Sequence, residues 1–353
     1  MIVNIQFLRA MAVLLVMFYH TSEHFFVVGG DTSGNIFSML SKIGYIGVDI
    51  FFVISGYIMW MTTKNLHSYL GAKKFIYARL TRIYLTYWFF LSSMIYYYHH
   101  SLSNFDFIGS LFLTASSSSK LLLLVAWTLQ YEVYFYLFFA LLLFFQRKYL
   151  IKILAMVFVL ILLLQVYASV SIDVYNKAIF NGASTFWTFW TSPFILEFLM
   201  GSFIGYYFDT YRIKKVLPLA MILLGVFVSA LWFQDTCIEG SLGDGYFLRE
   251  RVFFLGLFSM GLLALLIEYN KRNIILFPTF SLWLGGASYS LYLSHNIILL
   301  FIYEVGIRDA IHAYGKNQLF FMLLIIVVMV GYSLVHYFFI EKRIMSYAKR
   351  FQP

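Results

Sequence analysis

Ten stretches of predominantly apolar residues, at roughly 5–28, 42–62, 82–100, 122–145, 150–170, 188–208, 215–233, 250–268, 281–304 and 317–340, leave this chain little sequence from which to build a water-facing coat. At about 1.5 Å of helical rise per residue, runs of about twenty residues match a hydrocarbon layer of about 30 Å. Runs of that length and apolarity read as membrane-spanning helices. Composition agrees, with 62% hydrophobic and only 12% charged residues. The expected fold is all-α: a polytopic transmembrane helical bundle of about ten spans, forming a single membrane-embedded domain over residues 1–353. No fixed-period repeat and no second domain are expected. The run from Phe105 to Thr114 is too short to cross and is expected to be re-entrant or to lie on the outer interface. The N-terminus lacks a basic region followed by a small-residue cleavage site, so the first run reads as a retained span.

The formal net charge of +9 would fit a nucleic-acid partner, but the basic residues sit in short loops between apolar runs instead of on one basic face. Eighteen of the 25 Lys and Arg residues fall on one side of the expected membrane order. That side holds the 63–82, Arg147–Lys152 and Arg212–Lys215 loops and the C-terminal tail. The positive-inside rule therefore places both termini in the cytoplasm of a multi-pass cytoplasmic (inner) membrane protein. The single cysteine, Cys237, excludes an internal disulfide and a cysteine-based metal cluster. The outer loop from Gln234 to Gly245 reads as a solvated turn without chemistry.

Against this apolar background a few ionisable residues stand out. Arg9 and His20 are eleven positions apart in the first span, which puts them on one helical face about 16.5 Å apart along the axis. Counting rise along each span places His20, Asp49, Glu132 and His295 in the outer half of the membrane, with Glu197 near the middle. A lone arginine near a span end is commonly a snorkelling anchor, and a lone histidine is as often a bundle residue as a catalytic one. Together the set points to a protein cavity. An imidazole with Glu132 or Asp49 beside it suits activation of a hydroxyl. Zinc also accepts such ligands, but no compact HxxxH or HxxE spacing supports a metal and none is expected. A proton relay through His20, Asp49 and Glu132 in a coupled transporter is the alternative reading. Arg79 and Arg82 lie three apart on one face before the third span, a fork that grips phosphate oxygens or simply anchors the helix.

Several motifs in order resemble acyltransferase family 3, the integral-membrane O-acyltransferases that modify sugars and lipids at cell surfaces. They are Arg9 with His20, the run Gly47-Val48-Asp49-Ile50-Phe51-Phe52-Val53-Ile54-Ser55-Gly56-Tyr57, and Arg79-Leu80-Thr81-Arg82. Trp127-Thr128-Leu129-Gln130-Tyr131-Glu132 with Phe135-Tyr136, Ser288-Tyr289-Ser290-Leu291-Tyr292-Leu293-Ser294-His295, and the closing Phe339-Ile340-Glu341-Lys342-Arg343 complete the set. Thr128 stands where the family usually has serine, and the closing element lacks the usual Glu-Arg-Pro ending. The resemblance implies that His20 is the catalytic histidine and that Arg9, Arg79 and Arg82 hold the acyl donor, acetyl-coenzyme A or another acyl-CoA. It also implies that Glu132, Ser288, Tyr289 and His295 line the site. Ser288 or Tyr289 is the expected oxyanion donor, and the tail is expected to act as an anchor. His20 acts either as general base or as a transient acyl carrier. The expected partners are the lipid bilayer, a glycan or lipid-linked sugar acceptor and, because this form lacks the soluble esterase-like domain of longer members, a partner acyltransferase.

Overall fold

The computed structural model describes residues 2–26, 43–171, 189–190, 192, 194–237, 251–307 and 318–353. Among them every regular element is helical. The helices are α1 (Val3–Phe26), α2 (Ile46–Thr62), α3 (Tyr69–Tyr97), the short α4 (Phe107–Phe112), α5 (Trp127–Leu142) and α6 (Arg147–Ser171). They continue with α7 (Phe194–Thr210), α8 (Val216–Cys237), α9 (Leu257–Lys271), α10 (Pro278–Glu304), α11 (Gln318–His336) and α12 (Lys342–Ala348). Each apolar run overlaps a helix. Single-turn π-helices at Val252–Gly256 and Tyr337–Glu341 lead into α9 and out of α11. Helix α3 starts well before its apolar run, because Ser68 caps it by accepting from Gly71 N over 3.0 Å and the basic Lys73–Arg82 segment becomes its first turns.

Among the described residues five stretches are long and apolar enough to cross a membrane: Val3–Ser22, Leu124–Leu142, Arg147–Tyr167, Val252–Lys271 and Phe320–Phe351. They divide by burial. The first two bury more than half their residues, at 56% and 61%, whereas the Arg147 and Phe320 stretches bury 22% and 17%. Leu160, Leu163, Val327 and Val328 point outward, as lipid-facing side chains of a multi-pass membrane protein do. The central pair are α1 and α5, which makes the helix carrying Arg9 and His20 an axis of the bundle.

Helix α1 packs chiefly on α10 and α2 on α7. Both contacts use glycine where two backbones nearly touch. A Cβ on Gly56 would fall 1.8 Å from the Phe198 carbonyl oxygen, and one on Gly201 would fall 1.9 Å from that of Val53. Gly285 plays the same part on α10, since a Cβ there would meet Gln6 O at 2.2 Å. Asn4 extends this seam by accepting from Leu276 N over 2.9 Å and donating to Ile274 O over 2.8 Å. Contacts therefore advance along both helices together, from Asn4–Leu276 to Gln6–Gly285 and onward, so α1 and α10 run parallel.

The loops expected on one side meet at one end of the bundle. Asp209 accepts from Trp60 Nε1 (2.8 Å), Arg147 Nη2 (3.0 Å) and Lys64 Nζ (3.2 Å), while the Arg147 guanidinium lies 4.2 Å over the Trp60 ring. Arg272 donates to Ile213 O, and Tyr77 OH donates to Ala348 O. One member of the basic census belongs elsewhere: Arg251, counted with the opposite loops, is 2% exposed and paired within the bundle.

The Phe105–Thr114 run is a six-residue helix, α4, capped by Asp106, which accepts from Gly109 N over 2.8 Å. It is followed by Leu121, Leu122 and Leu123, all buried. The segment plugs between α3 and α5, with Tyr87 OH donating to Ser110 O and Leu122 N donating to Ser110 Oγ.

Candidate active site

Helices α1, α2, α3, α5 and α10 enclose a cavity with an empty volume of about 800 Å³ including its open mouth. Its wall carries Arg9, Arg79 and Arg82 against one carboxylate, Glu132, among apolar residues that include Val48, Phe51, Phe52, Ile54 and Ile58. Four residues expected at the site from different parts of the chain are thus neighbours here, and Ser288 and Tyr289 join them from α10.

The cavity has two distinct ends. At one, Arg79 Nη2 donates to Thr62 Oγ1 over 2.7 Å, at the end of α2 that leads to Lys64 and the Asp209 cluster. Its guanidinium lies 5.6 Å from the Phe75 ring centre and 5.8 Å from that of Tyr136. Arg9 Nη2 donates to Ser288 Oγ over 2.9 Å and Nη1 to Gln6 Oε1 over 3.3 Å, leaving Arg9 only 8% exposed. Among the described residues no hydrogen bond or ion pair within contact distance holds the Arg82 guanidinium. Three cations face Glu132 in the wall, with Glu341 the other carboxylate near Arg9 and Arg82, and the excess positive charge suits a polyanion.

Glu132 lies one turn from Tyr136 and one turn from Thr128 along α5. Its Oε1 accepts from Ser55 Oγ (2.9 Å) and its Oε2 from Tyr136 OH (3.1 Å). The far end is closed by Thr128 and Tyr292, whose hydroxyls lie 2.9 Å apart, with Tyr292 OH donating to Val125 O over 2.9 Å. From Tyr136 to Thr128 the α5 wall is about 12 Å long.

The two histidines lie behind that closed end. His20 and His295 stack with ring centres 5.3 Å apart and planes at 27°, and the His295 ring centre is 5.8 Å from that of Tyr292. His295 is fully buried, and its Nδ1 donates to Leu291 O over 3.3 Å. Neither histidine belongs to the cavity wall. Among the described residues, neither Glu132 nor Asp49 is placed beside His20, whose ring stacks on the His295 imidazole. The reason is that Glu132 is engaged inside the cavity and Asp49 points to another helix.

Asp49 receives a bidentate pair of hydrogen bonds from Arg251 Nε and Nη2, both 2.9 Å, and the two residues are 0% and 2% exposed. The guanidinium lies between the Tyr45 and Phe194 rings, 5.1 and 5.0 Å from their centres. Glu197, also fully buried, lies against the same pair and beside Gly256 of the π-turn. This cluster joins α2, α7 and the start of α9, and Asp49 is absent from the arginine cavity.

The oxyanion expectation also meets prior commitments. Ser288 Oγ donates to Gly285 O (2.9 Å) while accepting from Arg9, and Tyr289 OH donates to Ile83 O (2.9 Å). The closing motif is more than an anchor. Glu341 is 7% exposed and accepts from Ser290 Oγ, which also meets His336 Nδ1 at 2.7 Å. The chain signal for Glu341 was its place in the closing motif, but His336 carried none, since its packing on Phe89 and Phe90 at 4.7 Å is purely tertiary. Among the described residues no group of three or more His, Cys, Asp or Glu could hold a metal ion. Residues 238–245 of the Gln234 to Gly245 reading lie outside the described residues.

The family profile of an acyltransferase domain, acyltransferase family 3, matches residues 2–338. The exopolysaccharide production protein ExoZ of Rhizobium meliloti (strain 1021) is 27% identical over 284 residues, covering 77% of this chain and 81% of that protein. No solved structure matches the chain.

Proposed function

Because the chain belongs to acyltransferase family 3, we propose that it is a ten-span O-acetyltransferase of the cytoplasmic membrane that moves an acetyl group from acetyl-coenzyme A to a hydroxyl of a cell-surface or lipid-linked glycan. A polysaccharide acceptor is in keeping with the relative named for exopolysaccharide production. The single observation that carries the donor assignment is the convergence of Arg9, Arg79 and Arg82 on one cavity with a largely apolar remainder. Coenzyme A has that division, with phosphates at one end and a slender pantetheine arm leading to the thioester. Arg82, with no hydrogen-bond or ion-pair partner among the described residues, is the first cation offered to the phosphates. Arg79, held by Thr62 and two aromatic rings, is the preorganised one.

The basic-loop end is then cytoplasmic, and the arm runs toward the histidines. His20 accepts the proton of the acceptor hydroxyl. The hydroxyl oxygen bonds to the thioester carbonyl carbon, the carbon–sulfur bond breaks, and the leaving thiolate recovers the proton from His20. The His295 ring against His20 limits the orientations open to the imidazole. The rival proton relay through His20, Asp49 and Glu132 draws no support from the contacts, because Asp49 is bound to Arg251 and Glu132 to Ser55 and Tyr136.

Purified protein incubated with acetyl-coenzyme A and candidate glycans, with release of free thiol followed over time, tests this reading. The wild type is expected to release coenzyme A in an acceptor-dependent way, and His20→Ala to bind the donor while losing turnover by at least a hundredfold. A wild type that neither binds nor consumes the donor overturns the donor assignment, and equal turnover by His20→Ala removes the general base.

A further inference from the structure

The arginine cavity and the histidine pair are separate, and one pair of side chains divides them. Tyr292 and Thr128 form the far wall of the cavity. The Tyr292 ring has cavity on one side and His295 on the other, with ring centres 5.8 Å apart, and Phe51 flanks it edge-on at 6.2 Å. His295 in turn covers His20 at 5.3 Å. Any acyl group carried up the cavity meets the Tyr292 ring before it meets an imidazole.

Among the described residues, the Tyr292 hydroxyl makes two neutral hydrogen-bond contacts. Tyr292 OH lies 2.9 Å from Thr128 Oγ1 and donates to Val125 O over 2.9 Å, tying α10 to the short turn that starts α5. Thr128 Oγ1 has one further acceptor, Val125 O at 3.3 Å. Its proton is therefore shared between a local carbonyl and the tyrosine oxygen.

We propose that Tyr292 and Thr128 are a positioning pair that separates the donor thioester from the histidine side while no acceptor is present, the Thr128 hydroxyl helping to hold the tyrosine ring across the end of the cavity. The proposal rests on the acetyl-coenzyme A reading above. Its chemical purpose is protection. The acceptor's approach admits water, and water at the carbonyl would form a carbon–oxygen bond, break the carbon–sulfur bond and deliver its proton to the thiolate, leaving acetate and coenzyme A with no glycan modified.

The test is acceptor-free hydrolysis of acetyl-coenzyme A by the purified full chain in detergent, reading free thiol and acetate together, with coenzyme A affinity and melting temperature measured on each preparation. Thr128→Val removes the hydroxyl at nearly constant shape, and Tyr292→Phe removes the phenol while keeping the ring. Each is expected to raise hydrolysis at least tenfold over the wild type, with the coenzyme A Kd changed less than threefold. Thr128→Ser, which restores a hydroxyl, is expected to bring hydrolysis most of the way back from the Thr128→Val rate to the wild-type rate. Variants that bind coenzyme A, melt with the wild type and hydrolyse the donor no faster overturn the positioning pair while leaving the donor assignment standing. A wild type that fails to bind coenzyme A overturns the donor assignment itself, and the pair with it.

Discussion

Arg9 and Ser288, 279 positions apart in the chain, share a hydrogen bond of 2.9 Å that joins α1 to α10 at the wall of the cavity. Ser288 uses its own proton on Gly285 O, so its oxygen is left as acceptor for the guanidinium. The bond aims a buried cation into the cavity. Ser288→Ala is expected to lower coenzyme A affinity five- to tenfold, about 1–1.5 kcal/mol, the order of one hydrogen bond to a charged group. Isothermal titration calorimetry checks it, and unchanged affinity would show that Gln6 alone orients Arg9.

The two α3 arginines are expected to separate by their effects on stability. Arg79 is bonded to Thr62 and packed on Phe75 and Tyr136, whereas Arg82 is not so held. Arg79→Ala should therefore lose about 1–2 kcal/mol of stability together with donor affinity. Arg82→Ala should weaken donor binding at least tenfold with little change in melting temperature. Thermal unfolding in detergent alongside titration with coenzyme A distinguishes them.

The Asp49–Arg251 pair is nearly inaccessible, and removing one partner leaves the other charge buried against Glu197 or the Tyr45 and Phe194 rings. Asp49→Asn is expected to cost about 3–5 kcal/mol, and the double variant Asp49→Leu with Arg251→Met to recover much of it. Denaturant titration in mixed micelles reads both. A double variant no more stable than the single would mean that the pair contributes more than mutual compensation.

Asp209 at the basic-loop end supplies a pH prediction. Burial pushes its carboxyl upward, but hydrogen bonds from Trp60, Arg147 and Lys64 outweigh that and hold it below the usual carboxylate range. A depressed folded-state value contributes stability that is present above the unfolded value, near about pH 4, and is lost as pH falls through the folded value. The stability gap between wild type and Asp209→Asn is therefore expected to be constant from about pH 5 to 8 and to shrink below about pH 4. A gap unchanged down to about pH 3 would refute this assignment.

Much of the architecture was legible in the chain because the bilayer imposes a one-dimensional rule. Apolar runs of sufficient length become helices, and each expected run overlaps one. Arg9 and Glu132 were marked because a charge within apolar sequence needs a cavity, Arg79 and Arg82 as a basic fork before a span, and Ser288 and Tyr289 by the family resemblance; the structure gathers all six. Depth along each span was a weaker guide. It put Asp49, Glu132, His20 and His295 at comparable levels, but a level is a plane. Position within that plane depends on which face each helix turns to its neighbours.

The face of each helix is decided by contacts between residues far apart in sequence. Asp49 turns to Arg251 because a bidentate partner is there to offset its desolvation, which separates it from His20. Glu341 is drawn inward by Ser290, and Thr128 meets Tyr292 only because α5 and α10 are neighbours. Sequence by itself determined a helical membrane protein, its family likeness and the residues that hydrocarbon would not tolerate unpaired, because those follow from the cost of burying polar groups. Only the tertiary structure decided which of them share a cavity and which are tied to each other, because partner choice is settled by helix packing at close approach, where glycines such as Gly285 let α10 lie against α1.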